Sequence, residues 1–230
     1  NRHFIKLFYM CKHALAQKSR SSDVLCGERA EAASAAERAE ESFSAPRSAR
    51  GKKGRLAAEY VVKVAVMSAL LTALKFALSF IPNVEVVTLL IMVYAAVFGA
   101  AYALPAVLVF CAVEVAIYGA GSWVVLYFLY WPLLAVVSCL IFARRRSVIA
   151  AVLTAAVMSV LFGVLSACCD TLFVAAGFSG LDLAAYWTAY YVRGLYFDLV
   201  HVVSNFIVVA VLFVPLCAAG DRIKRGTSRS

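Results

Sequence analysis

The sequence predicts an all-α integral membrane protein of six transmembrane helices with both termini in the cytoplasm, and three observations carry that expectation. Hydrophobic residues make up 64% of the chain, charged residues only 15%, and the mean hydropathy is +0.87. A soluble domain is nearer half apolar and a quarter charged, so this excess calls for a lipid solvent. The third observation is where the charge lies. Of 22 Lys and Arg, 12 precede Tyr60 and 4 follow Gly220. The net charge of +9 therefore sits on the flanks, as it does when chain ends are held on the cytoplasmic side. A nucleic-acid binder would instead show a basic stripe interleaved with aromatics on a folded surface, so no nucleic-acid partner is expected.

Composition also divides the chain. Residues 1–59 pass through Ser/Lys/Arg-rich and Ala/Glu-rich stretches such as Glu28–Glu41 and read as a cytoplasmic, poorly ordered extension. They lack the charged region, apolar run and cleavage site, in that order, of a signal peptide. Residues 60–220 form the transmembrane domain and 221–230 a short basic cytoplasmic tail. A bilayer core of about 30 Å takes about 20 helical residues. Spans are accordingly expected at Tyr60–Phe80, Val84–Ala100, Ala103–Tyr118, Trp123–Phe142, Val148–Cys168 and Leu195–Leu216. Pro82 and Asn83 break the first pair, Gly119 and Gly121 part the third from the fourth, and Arg144–Arg146 end the fourth. The break at Gly99–Leu104 is the weakest.

Three basic clusters set the orientation: Lys52, Lys53 and Arg55 before span one, Arg144–Arg146 after span four, and Arg222, Lys224 and Arg225 after span six. An even count puts all three on one side, the cytoplasm, and leaves Arg193 alone outside. The longest outer connection, Asp170 to Gly194, carries Tyr186, Trp187, Tyr190 and Tyr191, as an interfacial belt or as a lid over an outward pocket. The seven cysteines include no C-x-x-C pair, so neither a metal nor a redox cofactor is indicated.

Ionisable groups in lipid cost about 2.5–3.5 kcal/mol each on insertion scales, which makes every one a candidate site residue. Lys63 can snorkel, whereas Lys75, Glu85, Glu114, Asp170, Asp198 and His201 all map to the outer halves of their spans. That shared depth predicts one outward-facing polar pocket. Glu85 follows Asn83 at the start of span two, where a carboxylate also suits a helix N-terminus. Glu114 lies about one turn before Tyr118, and Lys75 could pair with either acid. In span six, steps of three and four residues put Asp198, His201 and Asn205 on one face, with Ser204 beside them. In span four, Trp123, Tyr127 and Trp131 recur at every fourth residue. Aromatic walls with a few polar anchors are how small-molecule pockets are built. The expected substrate-binding residues are therefore Asn83, Glu85, Glu114, Tyr118, Trp123, Tyr127, Trp131, Asp198, His201 and Asn205. Ala65, Ala69, Ala73 and Ala77, each four apart, form a smooth ridge on span one that lets another helix approach closely.

Taken together, these residues resemble the substrate-binding S components of energy-coupling factor (ECF) vitamin transporters. The likeness covers Tyr60–Leu216. It rests on the alanine ridge, Ile81-Pro82-Asn83-Val84-Glu85, Glu114…Tyr118-Gly119…Trp123, Tyr130-Trp131-Pro132, and Phe197-Asp198-Leu199-Val200-His201 with Ser204-Asn205-Phe206. Within that family the chain resembles the cobalamin-type subgroup. The resemblance implies a six-helix, multi-pass subunit of the bacterial cell membrane that captures a vitamin-like small molecule from outside. It implies docking, through the alanine ridge, on a transmembrane coupling protein driven by two ATPase subunits. The chain has no G-x-x-x-x-G-K-[ST] run, so ATP would be used by those partners and no enzyme activity or cofactor is expected here.

Two other functions have sequence support. A self-sufficient proton-coupled transporter would use Glu114, Asp198 or His201, although its acids would be spread over several depths. An intramembrane serine protease would draw on Gly177-Phe178-Ser179-Gly180 with His201 as base.

Overall fold

A computed structural model of the chain describes residues 33–34, 47–180 and 182–227. The chain divides into two compact units, 1–57 and 58–230, and the geometry that follows belongs to the second. Most of the expected N-terminal extension lies outside the described residues. Six long helices are described: α1 (Arg47–Leu78), α2 (Val87–Phe98), α3 (Ala100–Tyr118), α4 (Ser122–Phe142), α5 (Val148–Gly177) and α6 (Leu183–Thr227).

Five of these helices are long and apolar enough to cross a membrane, and α2, with 12 residues, is not. At 1.5 Å per residue α2 spans about 18 Å against a hydrocarbon core of about 30 Å. The expected second span, Val84–Ala100, is thus shortened from its front, where residues 79–86 run as turns and bends before the helix starts. Irregular backbone is tolerated in a bilayer only where protein covers it or where it lines a cavity. The second condition holds here: Ser79 and Ile81–Glu85 line a cavity.

α2 is the hub of the bundle. Val87, Thr88, Leu89, Leu90, Ile91, Met92, Val93, Tyr94, Ala95 and Val97 are all buried, so no polar face is left on it. The core continues through Leu71, Phe110, Tyr130, Trp131, Leu134 and Phe213. On α6 the buried positions step by fours along one seam: His201, Asn205, Val209, Phe213 and Cys217. That seam is polar near one end and apolar beyond it. The exterior is the reverse of a soluble protein's: Phe80, Leu140, Ile149, Leu172 and Tyr196 are each at least 70% exposed. Apolar surface on this scale needs lipid or protein to cover it, and the chain is a multi-pass membrane protein.

Glycine fixes the tightest reversal. α2 and α3 are separated by Gly99 alone, at φ +79° and ψ −179°, a region open essentially only to glycine. The weak break expected at Gly99–Leu104 is therefore one residue long, and α3 begins at Ala100 rather than Ala103. Around this turn one end of the bundle is tied together. Tyr60 Oη donates to Ala101 O at 2.8 Å, Lys224 Nζ to Val97 O at 2.8 Å, and Arg146 Nη1 to Asp221 Oδ2 at 2.7 Å. This Gly99 end gathers Arg144–Arg146 and Lys224.

The other end differs from expectation. α5 runs on to Gly177 and α6 starts at Leu183, so the long connection expected from Asp170 to Gly194 is mostly helix. Tyr186, Trp187, Tyr190 and Tyr191 lie on α6 rather than in a loop. Asp170 straps it in place: Oδ1 accepts from Ser122 Oγ at 2.8 Å and Oδ2 from Tyr186 Oη at 2.7 Å. One carboxylate thereby links α4, α5 and α6.

Candidate functional site

The irregular segment 79–86 builds the site. Asn83 sits at φ +59°, a left-handed conformation that Asn tolerates better than most residues. Its carbonyl accepts from Ser204 Oγ at 3.1 Å, which fixes the segment to α6. Two residues later Glu85 turns back onto the start of α2, where Oε2 accepts from Thr88 N at 2.9 Å and Oε1 from Thr88 Oγ1 at 2.5 Å. The carboxylate therefore satisfies one of the N–H groups left open at the helix start. The same Oε1 accepts from Asn205 Nδ2 at 3.1 Å and faces His201 Nε2 at 3.3 Å. Asn205 Nδ2 also donates to Ser159 Oγ on α5 at 3.0 Å. Glu85 is both a cap and the centre of a network joining α2, α5 and α6.

A second ionic group faces it. Lys75 on α1 pairs with Glu114 on α3, whose side chain is only 1% exposed. The ammonium lies 5.0 Å from the ring centroids of both Tyr118 and Tyr127 and 6.0 Å from Phe110. Aromatic faces carry partial negative charge, so this cage holds the cation in an apolar setting.

Aromatic contacts connect the two groups. Trp123 packs edge-on against Tyr127 at 5.0 Å, Tyr127 against Trp131 at 5.7 Å, Trp131 against Phe162 at 6.1 Å, and Phe162 edge-on against His201 at 5.2 Å. The four-residue repeat of α4 thus becomes a ladder that ends on α6. A cavity of about 320 Å³ lies between these parts, lined by Lys75, Asn83, Glu85, Tyr118, Tyr127, Trp131, Phe162 and His201. Two buried polar atoms on its lining residues, Trp131 Nε1 and His201 Nδ1, have no hydrogen-bond partner among the described residues. Such atoms are costly unless something pairs with them.

Of the ten expected substrate residues, Asn83, Glu85, Tyr118, Tyr127, Trp131 and His201 line this cavity directly. Glu114 acts on it through Lys75, Asn205 lies beneath it on Glu85, and Trp123 extends the ladder from outside. Asp198 falls elsewhere. It packs against Gly163, where a Cβ would come within 2.1 Å of Oδ2, and lines a neighbouring cavity of about 380 Å³ with Tyr190, Tyr191 and Arg193. Asn83 and Phe162 are walls of both cavities. The step of three from Asp198 to His201 puts the two residues on one broad face, yet they line different cavities.

Phe162, Thr88 and Ser159 were not singled out in the sequence. Phe162 lies in a uniformly apolar run, and Thr88 and Ser159 are ordinary residues for buried helices, so no local signal marks them. Lys75 carried a signal, a charge inside an apolar span, and proves to be a cavity residue. The four ridge alanines Ala65, Ala69, Ala73 and Ala77 are all exposed, while Val64, Met67, Ser68 and Leu71 form the buried face of α1. Ser179 is exposed in the link after α5, and His201 lies 18 residues into α6, roughly 27 Å along its axis. The G-x-S-G serine and the expected base are not brought together. No protein-family model, curated protein or solved structure matches this chain.

Proposed function

We propose that the chain is the substrate-capturing membrane subunit of an ECF-type vitamin importer, set in a bacterial cytoplasmic membrane with its Arg144–Arg146 end inside. The observation that carries this reading is a pair of features on one bundle. An aromatic, polar cavity opens at the end away from the arginines, and an exposed alanine ridge runs along α1. A cavity of about 320 Å³ suits a small ring-bearing vitamin.

In this mechanism the ligand enters from outside and slides its ring between Tyr118, Tyr127, Trp131 and Phe162. Its polar edge meets the Lys75 ammonium and the Glu85 carboxylate on the cavity wall, which supply the directional contacts. The ridge of Ala65, Ala69, Ala73 and Ala77 then packs on a transmembrane coupling protein, and two separate ATPase subunits drive release inside. The chain itself needs no cofactor.

One observation favours a second reading, proton-coupled transport: His201 and Glu85 form a buried acid–base pair within the cavity wall. Uptake assays separate the two. The ECF reading predicts uptake that stops when the partner ATPases are deleted. Uptake that persists in vesicles holding this chain alone, driven by a proton gradient, would replace it with the second.

A further inference from the structure

The Gly99 end of the bundle holds a different cavity, of about 510 Å³, lined by Arg144, Arg145, Arg146 and Lys224 together with Gly99 and Ala100. Two of its cations are already fixed: Arg146 on Asp221 Oδ2 at 2.7 Å and Lys224 on Val97 O at 2.8 Å. Arg144 and Arg145 make no ion pair or hydrogen bond among the described residues, and no carboxylate lines the cavity among them. The N-terminus of α3 and the C-termini of α2 and α4 meet at this wall, so their end potentials offset and the cavity's charge comes from its side chains. Topology accounts for arginines after a span, but it asks only for charge. It does not ask for a concave surface walled by α2, α3, α4 and α6 with two of its cations held in place.

We propose that this cavity binds a phosphate group, gripped by the open guanidinium forks of Arg144 and Arg145. Guanidinium matches phosphate with two parallel hydrogen bonds, and basic pockets between membrane helices are suited to phosphate-bearing head groups. The phosphate can belong to an anionic lipid or to a soluble compound. The inference does not depend on the transport reading above.

The test uses the full chain purified in detergent, with dioleoylphosphatidic acid and inorganic phosphate as probes, read by native mass spectrometry and titration calorimetry. Arg144→Gln/Arg145→Gln should weaken binding about tenfold or more, the loss of charged hydrogen bonds. Arg222→Gln/Arg225→Gln removes the same charge nearby but outside the cavity and should change binding less than about twofold. Arg144→Lys/Arg145→Lys keeps the charge but loses the fork, and should still bind less tightly than the native chain. Unchanged melting temperatures establish that the variants fold. Lipid retained in the presence of inorganic phosphate identifies a lipid ligand, and lipid displaced by it identifies a soluble one. Equal losses in both glutamine pairs, or no retention of either probe, would overturn the proposal.

Discussion

Replacing Glu85 by Ala would strand polar groups on α2 and α6 together. The carboxylate takes hydrogen bonds from Thr88 N, Thr88 Oγ1 and Asn205 Nδ2 and faces His201 Nε2, all within 3.3 Å. Asn205 would keep Ser159, but His201, 3% exposed, would have neither ring nitrogen bonded among the described residues. A buried group left unpaired costs about 1–3 kcal/mol. Hydrogen bonds between membrane helices average nearer 0.6 kcal/mol, because the unfolded chain also finds partners in lipid. Four such contacts therefore put the loss at about 2–4 kcal/mol. Glu85→Gln keeps an acceptor in place and should lose about 1 kcal/mol. The assay is equilibrium unfolding in mixed micelles, followed by tryptophan fluorescence, since Trp131 packs on Phe162 beside His201. Glu85→Ala within about 0.5 kcal/mol of the native chain, the ordinary range for a surface substitution, would refute the network. Gln proving as damaging as Ala would also refute it.

Three further outcomes follow from the same geometry. Lys75→Met leaves Glu114 buried without its cation and should cost about 3–5 kcal/mol, with Glu114→Leu added to it recovering most of the loss in the same unfolding assay. Gly163→Ala drives a methyl into Asp198 and should lower stability by about 1–3 kcal/mol; Gly163→Ala with Asp198→Ala should melt near the native temperature, and no rescue would mean the clash lies elsewhere. Ala69→Trp, on an exposed face, should leave stability within about 0.5 kcal/mol of native and keep ligand binding while abolishing uptake, so unchanged uptake would remove the docking role.

Helix count and identity were legible because lipid leaves few options: runs of about 20 apolar residues between short breaks have one stable form. Hydropathy alone overstates the length of α2. Its apolar run begins at Val84, yet Asn83 in a left-handed conformation and Glu85 folded onto Thr88 delay the helix to Val87. Hydropathy cannot register a segment that stays irregular because a cavity needs its backbone. The length of α5 and α6 was missed for the opposite reason. Asp170, Asp182 and Arg193 mark the end of lipid-compatible sequence, but a helix does not stop where the membrane does. Within the site, charge and aromatic spacing located most of the lining residues. They could not separate Asp198 from His201, because that depends on Asp198 packing against Gly163 of α5 while His201 turns to Glu85. They also could not find Thr88 or Ser159, whose importance lies only in being opposite Glu85 and Asn205.

The central claim is that the cavity among Glu85, Trp131, Phe162 and His201 holds a small ring-bearing molecule. Native mass spectrometry of the chain purified from membranes tests it most directly. The account predicts one bound species of a few hundred daltons, as the cavity volume allows, whose occupancy falls sharply in Trp131→Phe and His201→Gln while Arg222→Gln retains it. A chain that carries no small molecule after incubation with a panel of ring-bearing vitamins would contradict the account, as would equal occupancy in all three variants.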